Sequence, residues 1–251
     1  MDIHLNNKVV LLTGATSDIG IEITKLLSKS GATVAIHYNK NEVKAKELKK
    51  NAGNNSEIFF ADLNSLEQTD ELFKNVIKHY SKIDILINNA GVYIYSPIED
   101  NESWLENWNK TMNINLDSAS LLCKQAIMHF KKNKGGKIIN IASRAAFRGD
   151  TEDYLAYAAS KGGLVSLTRT IARRYGKNNI VAFIVAPGFV KTKMAKDFKE
   201  KNGEDGILKE LSLKRITEPK DIAPTILFLS SGLMDHSTGS TIDINAGSYI
   251  R

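Results

Sequence analysis

Short apolar runs rich in β-branched residues alternate with longer helical patterns along this chain. Such alternation is typical of parallel strands joined by crossover helices. The first run, residues 9–12, is continuously apolar, as expected for a strand buried on both faces. The predicted strands are residues 9–12, 33–36, 58–60, 83–87, 137–141, 181–185 and 241–244, and the main predicted helices are residues 19–30, 66–80, 104–131 and 154–176. The sequence therefore predicts an α/β fold with a doubly wound sheet of about seven parallel strands and helices on both faces.

One domain, residues 1–251, is expected to include the whole chain. A chain of 251 residues with 42% hydrophobic content can bury a large core. Only four prolines are present, and neither a low-complexity tract nor an internal repeat marks a linker. Residues 1–7 lack the basic flank and apolar stretch of a signal peptide, and no segment is long enough to span a bilayer. We expect a soluble, cytoplasmic protein with no membrane partner.

The charge and the cysteine content argue against other classes of protein. The net charge of +6 could indicate nucleic-acid binding. The lysines of residues 44–50, however, have the pattern of the solvated face of an amphipathic helix, and no nucleic-acid motif accompanies them. The sequence therefore predicts no nucleic-acid partner. Cys123 is the single cysteine, so it cannot form an internal disulfide, and we predict that it fills space in the core. We predict no metal site.

Polar motifs follow five of the predicted strands. In an open parallel sheet, ligands bind beyond the carboxyl ends of the strands, where the strand order reverses. These motifs are the glycine turn 13–20 after the first strand, Asp62 after the third, residues 88–91 after the fourth, Ser143 after the fifth and residues 187–188 after the sixth. Since all of them fall at one edge of the sheet, the sequence predicts a site there. In the turn, Gly14 and Gly20 would let the backbone and the helix N–H groups approach a diphosphate.

Ser143, Tyr157 and Lys161 form a set suited to proton transfer. Hydride transfer to a carbonyl requires a proton for the developing alkoxide, and a phenol can supply it. Lys161 lies four residues after Tyr157 on the same helix face, so we expect its ammonium group, with the charge of an oxidised nicotinamide, to lower the pKa of the phenol. Ser143 would donate a hydrogen bond to the substrate oxygen. Tyr154 is the competing phenol, but Ala158 stands where its lysine would be.

With these motifs the chain resembles the short-chain dehydrogenase/reductase family over essentially its full length. The family's Thr-Gly-x-x-x-Gly-x-Gly turn is matched except at Asp18, where we expect a carboxylate to adjust cofactor contact and help to cap the helix. The resemblance implies a Rossmann-type fold, and it assigns to Asn115 a water that links Lys161 to solvent. Besides Tyr157 and Lys161, the cofactor-binding residues that it implies are Gly14, Thr16, Ser17, Ile19 and Gly20 in the turn, Asp62 and Leu63 at the adenine, Asn89, Ala90 and Gly91 at the adenosine and ribose, and Pro187, Gly188, Val190 and Thr192 at the nicotinamide.

The end of the second strand favours NADP(H) over NAD(H). An acidic residue at this point would bind the ribose 2′-hydroxyl and repel a 2′-phosphate, but none is present. Lys40 can neutralise that phosphate and Asn39 can donate to it. NADP(H) is therefore the predicted cofactor, with NAD(H) as the alternative.

The substrate is less constrained. Residues 189–213 form a polar, helix-prone insertion that we interpret as a lid, and its lysines favour an anionic substrate or an acidic carrier protein. The resemblance points first to a 3-oxoacyl-carrier-protein reductase, with a sugar or polyol dehydrogenase as the alternative and a non-catalytic dinucleotide-binding sensor as an alternative of another class. It also implies a homotetramer that packs through the two long helices. The insertion's lysines are Lys191, Lys193, Lys196, Lys199, Lys201 and Lys209.

Overall fold

A computed structural model describes residues 2–53, 55–193 and 196–251, with the backbone alone for residues 196–202. Its seven strands form one sheet in the order β3-β2-β1-β4-β5-β6-β7, and every neighbouring pair is parallel. The predicted doubly wound α/β fold is confirmed. The strands are β1 Val9–Leu12, β2 Thr33–Tyr38, β3 Glu57–Phe60, β4 Ile85–Asn88, β5 Gly136–Ile141, β6 Ile180–Pro187 and β7 Thr241–Ile244.

The helices connect these strands and cover both faces of the sheet. Gly203 interrupts α8 with a backbone φ of 71°. The α-helices are α1 Asp18–Lys29, α2 Glu42–Ala52, α3 Leu66–Tyr80, α4 Trp104–Met112, α5 Ser118–Lys132, α6 Ala145–Arg148, α7 Leu155–Tyr175, α8 Lys196–Lys209 and α9 Pro219–Ser230. Short 3-10 turns occupy Glu152–Tyr154, Gly176–Asn178 and Asp235–Ser237.

The predicted helix over residues 104–131 is not one regular helix. A π-helical segment, Asn113–Asp117, separates α4 from α5. A segment of five residues is too short to establish a hydrophobic period of its own, so the sequence could not reveal it, although such segments are frequent at functional sites. The predicted helix over residues 154–176 corresponds to α7, which begins one residue later and ends one residue earlier.

Side chains on the central strands alternate between two cores. Val10 and Leu12 pack with α1 and α9 on one face, whereas Leu11 packs with α3, α5 and α7 on the other. All three are fully buried, which explains the unbroken apolar run of β1. Cys123 is buried in the second core and takes the space-filling place that the sequence predicted.

The strand order reverses between β1 and β4, because β2 and β3 lie on one side of β1 and β4 to β7 on the other. A crevice at the carboxyl ends of these two strands is where ligands bind in folds of this kind. The polar motifs predicted from the sequence surround this crevice. Within the described residues, no helix has the length and apolar character that a membrane span requires.

Candidate active site

The glycine turn after β1 is built so that backbone, not side chains, faces the crevice. Gly14 has a φ of 60°, and a β-carbon there would lie 2.9 Å from Cα of Ala90. A β-carbon at Gly20 would overlap the carbonyl oxygen of Gly14. Ser17 caps α1, since its Oγ accepts from Gly20 N at 3.1 Å and donates to Gly14 O at 2.8 Å. The turn therefore presents the N-terminus of α1, whose N–H groups suit a diphosphate, to the crevice.

Thr13 and Asn89 fasten this turn to the end of β4. The Thr13 hydroxyl accepts from the backbone N–H groups of Asn89 and Ala90 at 3.0 and 3.1 Å. The Asn89 amide donates to the carbonyl oxygens of Thr13 and Gly14, both at 3.0 Å. The motif of residues 88–91, Asn-Asn-Ala-Gly, therefore fixes the shape of the glycine turn, independently of any contact that the motif makes with a ligand.

His37, near the end of β2, is a site residue that the sequence did not single out. Its Nδ1 accepts from Gly14 N at 2.9 Å, so the ring is neutral and Nε2 donates to Ala61 O at 3.0 Å. Burial lowers the pKa of His37 to about 4, against a weaker opposing effect of the bond to Ala61. The signal in the sequence was a lone titratable residue in the apolar strand that neighbours the glycine turn.

Asp18, the departure from the family's turn, bonds across the crevice. It is the first residue of α1, where a carboxylate is favourable, but the cap itself is Ser17. One Asp18 oxygen accepts from Lys193 N at 2.9 Å, and the other lies 3.9 Å from Nζ of Lys44. Asp18 therefore joins the glycine turn to the segment that enters the predicted lid. Met194, the next residue, lies outside the described part of the chain.

The end of β2 carries the groups predicted to select the cofactor. Lys40 and Lys44 both line the crevice. The Asn39 amide donates to Asp62 Oδ1 at 3.3 Å, so these two predicted residues orient each other. Lys44 was not predicted as a site residue, because its place on α2 matched a solvated helix face.

Ser143, Tyr157 and Lys161 come together at the opposite end of the crevice. Ser143 and Tyr157 line the same part of the crevice, and Ser143 Oγ accepts from Ala145 N at 3.1 Å. Lys161 is 4% exposed, and its Nζ lies 5.8 Å from the centre of the Tyr157 ring. Lys161 Nζ donates to the carbonyl oxygen of Ile141 at 2.8 Å, which fixes it at the end of β5.

The protein's own groups set the pKa of Tyr157 in the direction opposite to the sequence-based expectation. Desolvation raises the pKa of Tyr157 to about 12, the bond from Ser143 acts against this, and the charge of Asp150 adds to it. Burial also lowers the pKa of Lys161 to about 8. The sequence places a lysine beside a tyrosine, but it does not show that burial desolvates both the ammonium group and the phenol. The phenol is thus protonated at neutral pH.

Asn115 lies in the π-helical segment and pairs with the backbone after β4. Its Oδ1 accepts from Val92 N at 2.8 Å, and its Nδ2 donates to Val92 O at 3.0 Å and Ser160 Oγ at 3.2 Å. A β-carbon at Gly91 would lie 3.3 Å from Asn115 Oδ1 and 3.4 Å from Lys161 Nζ. Asn115 therefore shapes the space beside Lys161, and its predicted role in holding a water stays a prediction.

A cavity of about 700 Å³ connects the two ends. This volume lies in the range of small-molecule and cofactor sites. Two predicted residues, Gly20 and Asn115, do not line the cavity but contact the lining residues Gly14 and Val92. The predicted residues that line the cavity are Gly14, Thr16, Ser17, Ile19, Asn39, Lys40, Asp62, Leu63, Asn89, Ala90, Gly91, Ser143, Tyr157, Lys161, Pro187, Gly188, Val190 and Thr192.

The wall beyond Ser143 has further groups that sequence reasoning did not single out. Tyr93 meets the Tyr157 ring edge-on at 4.7 Å and donates to Asp150 Oδ1 at 3.2 Å. Arg144 follows Ser143 directly, and its Nη2 donates to Glu210 Oε2 at 3.0 Å. Only the tertiary structure brings these groups together, since they come from three separate loops.

Fold, glycine turn and Ser/Tyr/Lys set together define a dinucleotide-dependent oxidoreductase site. The family model described as enoyl-(acyl carrier protein) reductase matches residues 14–248, and the chain belongs to the short-chain dehydrogenase/reductase family.

Individual relatives cover the chain almost completely. The 3-oxoacyl-[acyl-carrier-protein] reductase FabG of Thermotoga maritima is 31% identical over 249 residues, which are 98% of this chain and 100% of the relative. The FabG of Rickettsia conorii is 34% identical, with 98% of each chain covered. Among solved structures, a dehydrogenase/reductase from Sinorhizobium meliloti 1021 has a TM-score of 0.88 at 26% identity and covers 99% of this chain and 98% of its own.

Proposed function

We propose that this protein reduces a carbonyl group with NADP(H), or oxidises the corresponding alcohol, with Tyr157 as the residue that transfers the proton. The observation that carries the proposal is that Ser143, Tyr157 and the buried Lys161 line one cavity together with the glycine turn. When bound, the nicotinamide supplies or accepts the hydride. The glycine turn and the N-terminus of α1 fit its diphosphate, because Gly14 and Gly20 allow the close backbone packing that brings the helix N–H groups to the crevice.

Each residue around the reacting oxygen has a separate role. Ser143 Oγ accepts from Ala145 N, so its own hydrogen can point to Tyr157 or to a substrate oxygen. Tyr157, with its pKa raised to about 12, holds a proton at neutral pH and can donate it to a developing alkoxide. Lys161 lies behind the phenol, where a positive charge would stabilise the phenolate left after donation. These protonation states favour reduction of the carbonyl.

Replacing Tyr157 by Phe tests this assignment. We expect Tyr157→Phe to lower kcat by about 10²–10⁴-fold, the usual contribution of general acid catalysis, with cofactor binding nearly intact. Tyr154→Phe is the matched control, because Tyr154 lies outside the cavity wall and stacks on Tyr93 at 3.7 Å. Retained turnover in folded Tyr157→Phe would refute the assignment. A wild-type protein that binds NADPH but reduces no carbonyl would favour a non-catalytic sensor.

The cofactor is proposed to be NADP(H), with NAD(H) as the competing choice. Lys40 and Lys44 line the cavity at the end of β2, where a 2′-phosphate would need positive charge. We expect Lys40→Ala and Lys44→Ala each to raise the KM for NADPH by about tenfold, as for loss of a charged hydrogen bond, and to change that for NADH little. Lys46→Ala is the control, because Lys46 pairs with Glu42 on the outer face of α2. A wild-type preference for NADH would contradict this proposal.

For the substrate, the relatives give 3-oxoacyl groups on an acyl carrier protein as the first class to assay, and sugars or polyols are the second. Following NADPH absorbance with 3-oxoacyl thioesters, small ketones and sugars ranks these classes. Catalysis by a cytoplasmic homotetramer is part of the same proposal, and light scattering that shows only a monomer would contradict the tetramer.

A further inference from the structure

Arg144 is a buried cation at the substrate end of the cavity with one donor group unused. The residue is 5% exposed, and its guanidinium stacks over the Phe189 ring at 4.3 Å. Its Nη2 donates to Glu210, but the buried Nη1 has no hydrogen-bond partner among the described residues. Leaving a charged donor unpaired in a buried place costs free energy, so an acceptor bound at Nη1 would be stabilised.

The acidic groups nearby do not fill this position. Glu210 uses the single oxygen Oε2 for both arginines, at 3.0 Å from Arg144 and 3.6 Å from Arg148. Asp150 directs its Oδ1 to the Tyr93 hydroxyl and to the N–H of Thr151. Arg148, Asp150 and Glu210 all line the same cavity as Arg144. Arg144, with its unpaired donor, and Arg148 therefore belong to the wall of the space that a substrate would occupy.

The position of Arg144 links this donor to the reacting centre. Consecutive Cα atoms are about 3.8 Å apart, so Arg144 begins directly beside Ser143, which lines the same cavity as Tyr157. The backbone N–H of Arg144 donates to Pro187 O at 2.9 Å, which fixes the residue against the end of β6. Arg144 therefore lies on the wall of the cavity in which a substrate oxygen would meet Ser143 and Tyr157.

We propose that Arg144, assisted by Arg148, binds a carboxylate on the substrate, so that the substrate class is an oxo acid or the corresponding hydroxy acid. A planar carboxylate suits a guanidinium whose one face is covered by an aromatic ring. A monoanion fits better than a phosphate dianion, because Glu210 and Asp150 already balance the two arginines. This inference rests on the proposed carbonyl reduction and names a different substrate class from the thioesters of the relatives.

Matched acid and ester substrates test the proposal. We would measure kcat/KM with NADPH for 3-oxobutanoate and 2-oxobutanoate and for the ethyl ester of each, which differ in charge but keep the ketone. The wild type should prefer the better acid over its ester by at least about tenfold, the effect of one charged hydrogen bond. In Arg144→Gln this preference should fall by about ten- to a hundredfold, through a higher KM for the acid. Absence of turnover with acids, esters, thioesters and sugars alike would instead refute the proposed function.

Two further variants separate recognition from folding. Glu210→Gln removes the carboxylate that now occupies Nη2 and should raise the acid preference, a gain that a folding defect cannot mimic. If Arg144→Gln does not fold, Arg148→Gln at a more exposed position should lower the preference by about three- to tenfold, as expected for a partly screened charge. A folded Arg144→Gln with an unchanged acid-to-ester ratio, or a lower ratio in Glu210→Gln, would overturn the proposal. So would a wild type that turns over esters or thioesters in preference to the acids.

Discussion

Stability of the fold should depend on pH through His37. The side chain is 3% exposed and accepts a hydrogen bond from Gly14 N, so it is held neutral, and burial lowers its pKa from 6.5 to about 4. Between these two values the unfolded chain binds a proton that the folded protein does not. The free energy of unfolding is therefore unaffected by His37 above about pH 6.5, falls as the pH drops, and has lost the full amount below about pH 4.

The size of the effect follows from the same two values. At about 1.4 kcal/mol for each tenfold change in proton affinity, the difference between 6.5 and about 4 corresponds to about 3 kcal/mol. At pH 4.5 most of it, about 2.5 kcal/mol, has been lost. The free energy of unfolding of a typical domain is about 5–15 kcal/mol, so a loss of this size is measurable by urea unfolding.

The assay compares wild type with His37→Gln at pH 7.5, 6, 5 and 4.5, at one protein concentration because association would shift apparent stability. Burial also lowers the pKa of His129, and carboxylates such as Asp221 titrate at lower pH. The readout is therefore the difference between the two proteins, which should shrink by about 2.5 kcal/mol from pH 7.5 to 4.5. His4→Gln, which removes an exposed imidazole, is the control and should follow the wild type. A difference that stays constant with pH would refute the reasoning.

Three further predictions concern the crevice. Asp18→Gly removes the bond to Lys193 N together with a carboxylate beside the diphosphate position. The KM for NADPH, measured by steady-state kinetics, should therefore fall by about two- to tenfold, and a rise would contradict this. Gly20→Ala forces a β-carbon onto the carbonyl oxygen of Gly14, so the melting temperature and NADPH affinity should both drop, and a variant that keeps both would show that the turn can open. Burial lowers the pKa of Lys161 to about 8. If the positive charge of Lys161 is required, the enzyme should lose activity as the pH rises through this pKa, so kcat/KM should decline above about pH 8. A kcat/KM that rises between pH 8 and 10 would exclude a role for this charge.

The sequence predicted the sheet well because each central strand is buried on both faces. β1 was predicted with the residues that the structure shows, since Val10, Leu11 and Leu12 all point into one core or the other. β4 was predicted two residues too early. Ile83 is apolar and buried, as expected for a strand residue, but Ile83 N donates to His129 and not to a neighbouring strand. An apolar run marks burial, and burial continues beyond the hydrogen-bonded strand.

The site was predictable where its residues follow strand ends and unpredictable where distant segments meet. Ser143, Tyr157 and Lys161 were found because they fall at one edge of the sheet in a familiar order. The bond between Asp18 and Lys193 joins residues 175 positions apart, and no local pattern signals it. The pKa of Tyr157 depends on how far burial outweighs a neighbouring charge, which a sequence does not state. Residues 194–202 of the predicted lid have no described side chains, so the lid stays a prediction.

The carboxyl end of β5 connects the two chemical tasks of the site. Ile141 O accepts from Lys161, Ser143 lines the cavity with Tyr157, and Arg144 carries the unpaired donor, all within four consecutive residues. The hydrogen bonds from Ala142 N to Val185 O and from Arg144 N to Pro187 O hold this stretch to β6. Proton transfer and substrate orientation thus depend on one strand register. A change that shifts β5 against β6 should therefore impair kcat and the acid-to-ester preference together, whereas a change at Arg144 alone should impair only the preference.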